Sequence, residues 1–256
     1  MSVVLAAAGA IAAAAAIAAA TAAPLATTTM KPPAKVTAPP LVTVTVTAMP
    51  VPDAVIAKYA VALKELKEPR VFSVEYTIEQ TGTRSLEQTH RIFRSGTDER
   101  DETIAVNGSR PAVPLVRIFR HRPYRYTIAA LAPKPSSYDF VYAGPHKTGK
   151  HVDYVFDLTP KKDTPAFAFT QVTIDGVTFL PSAVSFVTNQ HAGSGRVTFS
   201  KSDRWWVARS AAAQANVPGG IAHERLTFSR WRFPATLPQS TFSVPRPLLT
   251  PRPTIP

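Results

Sequence analysis

The stretch "PDAVIAKYAVALKELKEPRVFSVEYTIE", residues 52–79, decides the fold. In its first half Val55, Ile56, Tyr59, Ala62, Leu63 and Leu66 recur at three- and four-residue steps, so they share one helical face. Asp53 stands where an N-cap belongs, and Pro52 and Pro69 bound the segment. After Pro69 the period changes from 3.6 to 2. Phe72, Val74, Tyr76 and Ile78 then point one way, and Ser73, Glu75, Thr77 and Glu79 the other. Nearly everything downstream reads as strand, so the lone apolar helix face needs a sheet to lie against. The pattern predicts a curved antiparallel sheet wrapped over this helix. Tyr59, Leu63 and Leu66 dock on its concave face, while Lys58, Glu65 and Lys67 stay nearer to water.

Working outward, residues 90–94 read as a second strand after a turn at Gly82. The charged run 98–102, "DERDE", reads as a solvated hairpin tip compensated by Arg94 and Arg100. Asn107-Gly108 is a turn signal. Residues 115–120 and 124–131 read as strands on either side of Pro123. Tyr138, Phe140 and Tyr142 alternate with polar or smaller neighbours, as do Val152, Tyr154, Phe156 and Leu158. Asp175-Gly176 suits a two-residue type I′ hairpin with Ile174 facing Val177, Val172 facing Phe179 and Thr173 facing Thr178. Pro181 then marks an edge or a bulge. Residues 196–201, 205–208 and 222–233 supply the last strands. The sum is a mainly β chain of about ten to eleven short antiparallel strands with one principal N-terminal helix, and no βαβ spacing.

Upstream, residues 1–23 are almost all Ala, Val, Leu and Ile and end in small residues. They read as a secretory signal peptide, with an uncleaved membrane anchor as the alternative. Residues 24–52 form a Pro/Ala/Thr-rich linker, the folded domain spans 53–245, and 246–256 is a Pro-rich tail. Cysteine is absent, which excludes disulfides, thiolate metal sites and cysteine nucleophiles. The net charge of +12 favours contact with an anionic membrane surface.

Little in the sequence points to catalysis. Gly193-Ser194-Gly195 lacks the spacing of a nucleophile elbow and reads as a turn between strands. No glycine-rich phosphate loop occurs, and the six histidines are scattered. Arg117, Arg120, Arg122 and Arg125, interleaved with Phe119, Tyr124 and Tyr126, read as strands turning aromatics inward and Arg outward. They do not read as a nucleic-acid surface. The chain therefore calls for no cofactor, metal or catalytic residue. The informative feature is the excess of large apolar residues on sheet faces. A concave trough lined by Leu63, Leu66, Phe72, Val74, Tyr76, Ile78, Tyr138, Phe140, Tyr142, Val152, Tyr154 and Phe156 would accommodate an acyl chain, with the helix as its lid.

The helix running straight into a strand at 55–78, the "RPYRY" run at 122–126 and "VTIDGVTFLPSAVSF" at 172–186 together resemble the LolA/LolB-like lipoprotein-carrier superfamily. That superfamily also holds the periplasmic regulator RseB and the mycobacterial lipid carriers LppX and LprG. The resemblance implies a strongly curved, unclosed barrel with an apolar ligand on its concave side, in a protein of the periplasm or cell envelope. The expected partner is a lipid or an acylated protein, bound by a monomer. The alternative is an RseB-like sensor module that contacts a protein without carrying anything.

Overall fold

The computed structural model describes residues 51–82, 85–113, 115–124, 126–148, 151–162, 167–188 and 193–243. The signal-peptide or anchor segment, nearly all of the linker and the Pro-rich tail lie outside the described residues. Helix α1 runs Pro52–Glu65. Pro52 sits in its first turn, where a missing N–H costs nothing, and Val51 rather than Asp53 occupies the N-cap. Asp53 instead places its carboxylate in the first turn, next to the free N–H groups.

The strands are β1 (Val71–Thr81), β2 (Leu86–Ser95), β3 (Asp98–Val106), β4 (Leu115–Phe119), β5 (Tyr138–Thr148), β6 (His151–Pro160), β7 (Phe167–Ile174), β8 (Pro181–Thr188), β9 (Gly193–Ser202), β10 (Trp205–Val217) and β11 (Gly220–Arg232). They form one antiparallel sheet in the order β4-β3-β2-β1-β11-β10-β9-β8-β7-β6-β5. Strand β1 pairs with β11, so the order runs round a ring that lacks only the pairing of β4 with β5. The result is a curved, unclosed barrel. Register shifts in the β1–β11, β2–β3, β5–β6, β7–β8 and β9–β10 pairs supply the bulges that bend such a sheet.

The chain between β4 and β5 spans the open seam. The period-2 reading of residues 124–131 as a strand is corrected here. Ile128–Leu131 is a single helical turn, α2, capped by Thr127, whose hydroxyl accepts from the Ala130 N–H at 3.1 Å. A threonine cap ahead of two alanines favours the helical turn over strand pairing here. Val55 and Tyr59 of α1 are fully buried, and the Tyr59 hydroxyl donates to the Pro133 carbonyl at 2.8 Å. Helix and seam segment are thus tied together over the sheet.

Three other expectations change. The run 98–102 is not a hairpin tip but the start of β3, with Glu99 and Asp101 buried. Gly193-Ser194-Gly195 is strand β9, not a turn, and a Cβ at Gly195 would lie 2.4 Å from the Phe186 ring. The Asp175-Gly176 connection is longer than two residues: Ile174 pairs with Pro181, Val172 with Val184 and Thr173 with Ala183. The Asp175 carboxylate accepts from the N–H groups of Val177 and Thr178 and from the Thr178 hydroxyl, which stabilises an Asx-type loop in place of the type I′ turn. The bulge expected at Pro181 is present opposite Thr173 and Ile174. Asn107 and Gly108 both have positive φ and close a two-residue turn between Val106 and Ser109.

Candidate binding cavity

The helix does not fill the concave side. Beyond its C-terminal end lies a cavity of about 1000 Å³. Leu63 and Leu66 contribute one wall, and Tyr124, Tyr126 and Ile128 of the seam segment another. The sheet contributes Phe72 from β1, Trp205 and Trp206 from β10, and Trp231 with Phe233 at the end of β11. The aromatic rings are mutually packed. Phe72 lies 5.0 Å from Tyr124 and 5.3 Å from Trp231, and Trp231 stacks on Phe233 at 5.9 Å with planes 10° apart.

A bulge puts two of these rings there. Leu226 and Phe228 share the inner face with Ile78 and Tyr76. Continued alternation would turn Arg230 and Arg232 inward. Instead Ser73 pairs with Arg232 and Glu75 with Ser229, so β11 holds one residue more than β1 over this interval, and Arg230 adopts φ 51°. The phase flips: Trp231 and Phe233 face the cavity, while the Arg230 guanidinium donates to Glu75 on the convex side at 2.8 Å.

The rim is basic. Lys67, Arg70 and Arg204 border the cavity, with Glu68 as the acidic neighbour. Glu68 is already engaged, accepting from the Ala129 N–H at 2.9 Å. A second opening of about 720 Å³ adjoins the first and shares Leu66, Lys67, Arg204, Trp205 and Trp206 with it. Three buried donors of the first cavity's walls, the Tyr124 hydroxyl and the indole N–H groups of Trp205 and Trp231, have no hydrogen-bond partner. The Trp206 indole N–H is satisfied by the Pro181 carbonyl at 2.8 Å.

Of the residues singled out from the sequence, Leu63, Leu66 and Phe72 line this cavity. Val74, Tyr76, Ile78, Tyr138, Tyr154 and Phe156 are buried in the core around it, and Phe140 and Tyr142 are half-buried against that core. Val152 stands near the start of β6, 41 % exposed. The pattern turns Tyr124 and Tyr126 inward on a strand, but neither they nor the three tryptophans and Phe233 are among the residues it predicts for the lining. The signal that would have found the β11 pair is the phase break between Leu226/Phe228 and Trp231/Phe233.

On the β1–β4 side the same concave face carries paired charges. The Tyr76 ring stacks on His90 at 4.9 Å, and His90 Nδ1 lies 2.8 Å from Asp101 Oδ1. Asp101 also accepts from Arg117 at 2.6 Å. Glu99 accepts from Arg94 at 2.9 Å and from Arg122 at 3.3 Å, and Arg94 donates to the Arg122 carbonyl at 2.5 Å. Burial pushes the Asp101 carboxyl up, but the hydrogen bonds and charges of His90 and Arg117 outweigh it and hold it below the usual range. For Glu99 burial wins over Arg122 and Arg94, and its carboxyl lies above the usual range. Thr103 Oγ1 approaches the same Nδ1 as Asp101, at 3.5 Å. A hydroxyl–imidazole–carboxylate relay needs one partner on each nitrogen, so this cluster is not arranged to activate a nucleophile. It anchors the seam segment through Arg122. Among the described residues no group of His, Asp and Glu is placed to hold a metal, and no helix is long and apolar enough to cross a membrane.

No family model matches the chain, and no curated protein sequence matches it. Among solved structures it is similar to a DUF1329 family protein from Desulfovibrio piger, at 12% identity and TM-score 0.43, over 75% of this chain and 96% of that one. It is also similar to a LolA superfamily protein from Nitrosomonas europaea, at 12% identity and TM-score 0.40, over 75% of this chain and 97% of that one. A third is MucB, at 16% identity and TM-score 0.31, over 75% of this chain and 63% of that one. The Nitrosomonas europaea protein carries the name of the superfamily that the sequence resembles.

Proposed function

We propose that the protein is an exported envelope protein that binds or carries an apolar ligand, a lipid or the acyl chain of a lipid-modified protein, in the cavity beside α1. One observation carries the reading: a large, aromatic-walled chamber left open on the concave side of the sheet. Its volume stands at the upper end of the roughly 300–1000 Å³ usual for small-molecule sites. Burying a methylene contributes about 0.8 kcal/mol, so a 16-carbon chain gains roughly 10 kcal/mol before ordering costs are subtracted.

An interaction module of the RseB-like kind needs no such space, and a filled concave face would have favoured it. The other residues read from the sequence, the buried Val74, Tyr76, Ile78, Tyr138, Tyr154 and Phe156, the half-buried Phe140 and Tyr142 and the exposed Val152, join the lining on this account only if α1 swings aside as a lid. The Tyr59–Pro133 bond is then its latch. The direct test is mass spectrometry of organic extracts from protein purified under native conditions. Near-stoichiometric lipid supports the reading; an empty extract, together with no binding of added amphiphiles, refutes it.

A further inference from the structure

We infer that the ligand is an anionic amphiphile, whose phosphate or carboxylate head seats on Lys67 and Arg204 at the mouth shared by the two openings and on Lys201 beside it, with its chain running into the aromatic chamber. This rests on the binding reading above and adds the chemistry of the head.

The first argument is charge. Seven guanidinium groups are compensated: Arg91 and Arg230 by Glu75, Arg94 and Arg122 by Glu99, Arg117 by Asp101, Arg100 by Glu102 and Arg120 by Asp98. Others, such as Arg209, Arg225 and Arg232, form no ion pair with a described residue, so what distinguishes the mouth is the place of its free cations beside an apolar chamber. Lys67, Lys201 and Arg204 border the openings exposed to solvent, and none forms an ion pair with a described residue. The acids nearby are Glu65, Glu68 and Asp203; Glu68 already caps the turn at Ala129, and neither Glu65 nor the exposed Asp203 forms an ion pair with the three cations. A mouth with three uncompensated cations and apolar walls behind it is matched by a negative head on an apolar chain.

The second argument is independent of charge. The indole N–H groups of Trp205 and Trp231 and the Tyr124 hydroxyl are buried in the chamber wall without acceptors. An indole N–H only donates, and burying it unpaired is unfavourable, so an occupant with oxygen acceptors is favoured once these side chains turn toward the chamber. A plain hydrocarbon satisfies neither them nor the mouth. Trp205 borders both openings, which sets one such donor at the head end of the chain.

The chain's three tryptophans, Trp205, Trp206 and Trp231, all line the chamber, so their emission reports occupancy. The protein is titrated with tetradecyl phosphate, myristate, monomyristoylglycerol and orthophosphate, each amphiphile below its micelle threshold. The two anionic amphiphiles should bind about tenfold or more tightly than the uncharged one, a preference that falls with added salt. Orthophosphate alone should leave the emission unchanged. In a triple variant, Lys67→Gln, Lys201→Gln and Arg204→Gln, the affinities for charged and uncharged chains should converge, its fold checked by circular dichroism. Equal affinity for charged and uncharged chains overturns the head-group inference while leaving the cavity reading intact. Orthophosphate binding as tightly as tetradecyl phosphate overturns it in favour of a free-anion site. Failure of every amphiphile to bind overturns the cavity reading itself.

Discussion

Replacing Tyr59 by Phe removes one oxygen atom from the centre of the molecule. Tyr59 is 0% exposed, and its hydroxyl is bonded to the Pro133 carbonyl 74 residues away. Phenylalanine keeps the ring, and with it the contact to Phe140 at 5.9 Å, so volume and packing hardly change. What is lost is the hydrogen bond, and what remains is a buried carbonyl without its donor. Leaving such an acceptor unpaired costs about 1–3 kcal/mol. For a domain of this size each kcal/mol lowers Tm by about 2–4 °C. Urea denaturation followed by circular dichroism should show an earlier midpoint with an unchanged slope. Tyr59→Ala, which also opens a cavity, should cost about 3–5 kcal/mol. An unaltered midpoint for Tyr59→Phe would mean that the helix is not tied to the seam segment.

Gly176→Ala should destabilise the protein by about 1–3 kcal/mol, because the added Cβ would lie 1.9 Å from the Val152 carbonyl oxygen, a backbone atom that cannot step aside. Thermal melts of the variant check this, and a wild-type Tm would refute the close approach of β6 to the β7–β8 loop. Acid should weaken the wild type through Asp101. Its carboxyl is held below the unfolded value of about 3.9, so its contribution is present above that pH and is lost as pH falls through the folded value. Glu99, held above its unfolded value, has the opposite sign and offsets part of the loss. Asp101→Asn should therefore be less stable at neutral pH but show a flatter acid limb in urea midpoints from pH 7 to 3, and parallel curves would contradict it. Export should remove residues 1–22 or as many as 1–26, which N-terminal sequencing of envelope fractions would reveal; an intact Met1 in the membrane pellet would indicate an anchor instead.

The parts of the fold legible in the sequence are those encoded by local period. The face of α1 from Val55 to Leu66 and the alternation of Phe72, Val74, Tyr76 and Ile78 follow from spacing alone, and both elements stand where that spacing puts them. The eleven-strand, unclosed sheet follows from the run of period-2 segments without crossover helices. Illegible features depend on partners distant in sequence. Strand β3 has charges on both faces and so shows no hydrophobic alternation; it is a strand because Arg94, Arg122, His90 and Arg117 neutralise its inward carboxylates. Strand β10 continues through "SAAAQANV", whose small residues give no period to read. The cavity was the least legible part. Leu63 and Phe72 were found on apolar faces, but Trp205 and Trp231 reach them only through the β1–β11 pairing and a bulge at Arg230. Tyr124, Tyr126 and Ile128 keep a strand-like alternation while they line the cavity from the seam segment.

The central claim is that an apolar chain occupies the chamber walled by Trp205, Trp206, Trp231 and Phe72. Bromine quenches indole emission at contact distance, so the most direct measurement is titration with a myristate brominated at mid-chain, compared with unbrominated myristate. The account predicts saturable binding of both, with strong quenching by the brominated chain alone. Saturable binding without that extra quenching would place the chain elsewhere on the protein, and no binding of either would contradict the claim outright.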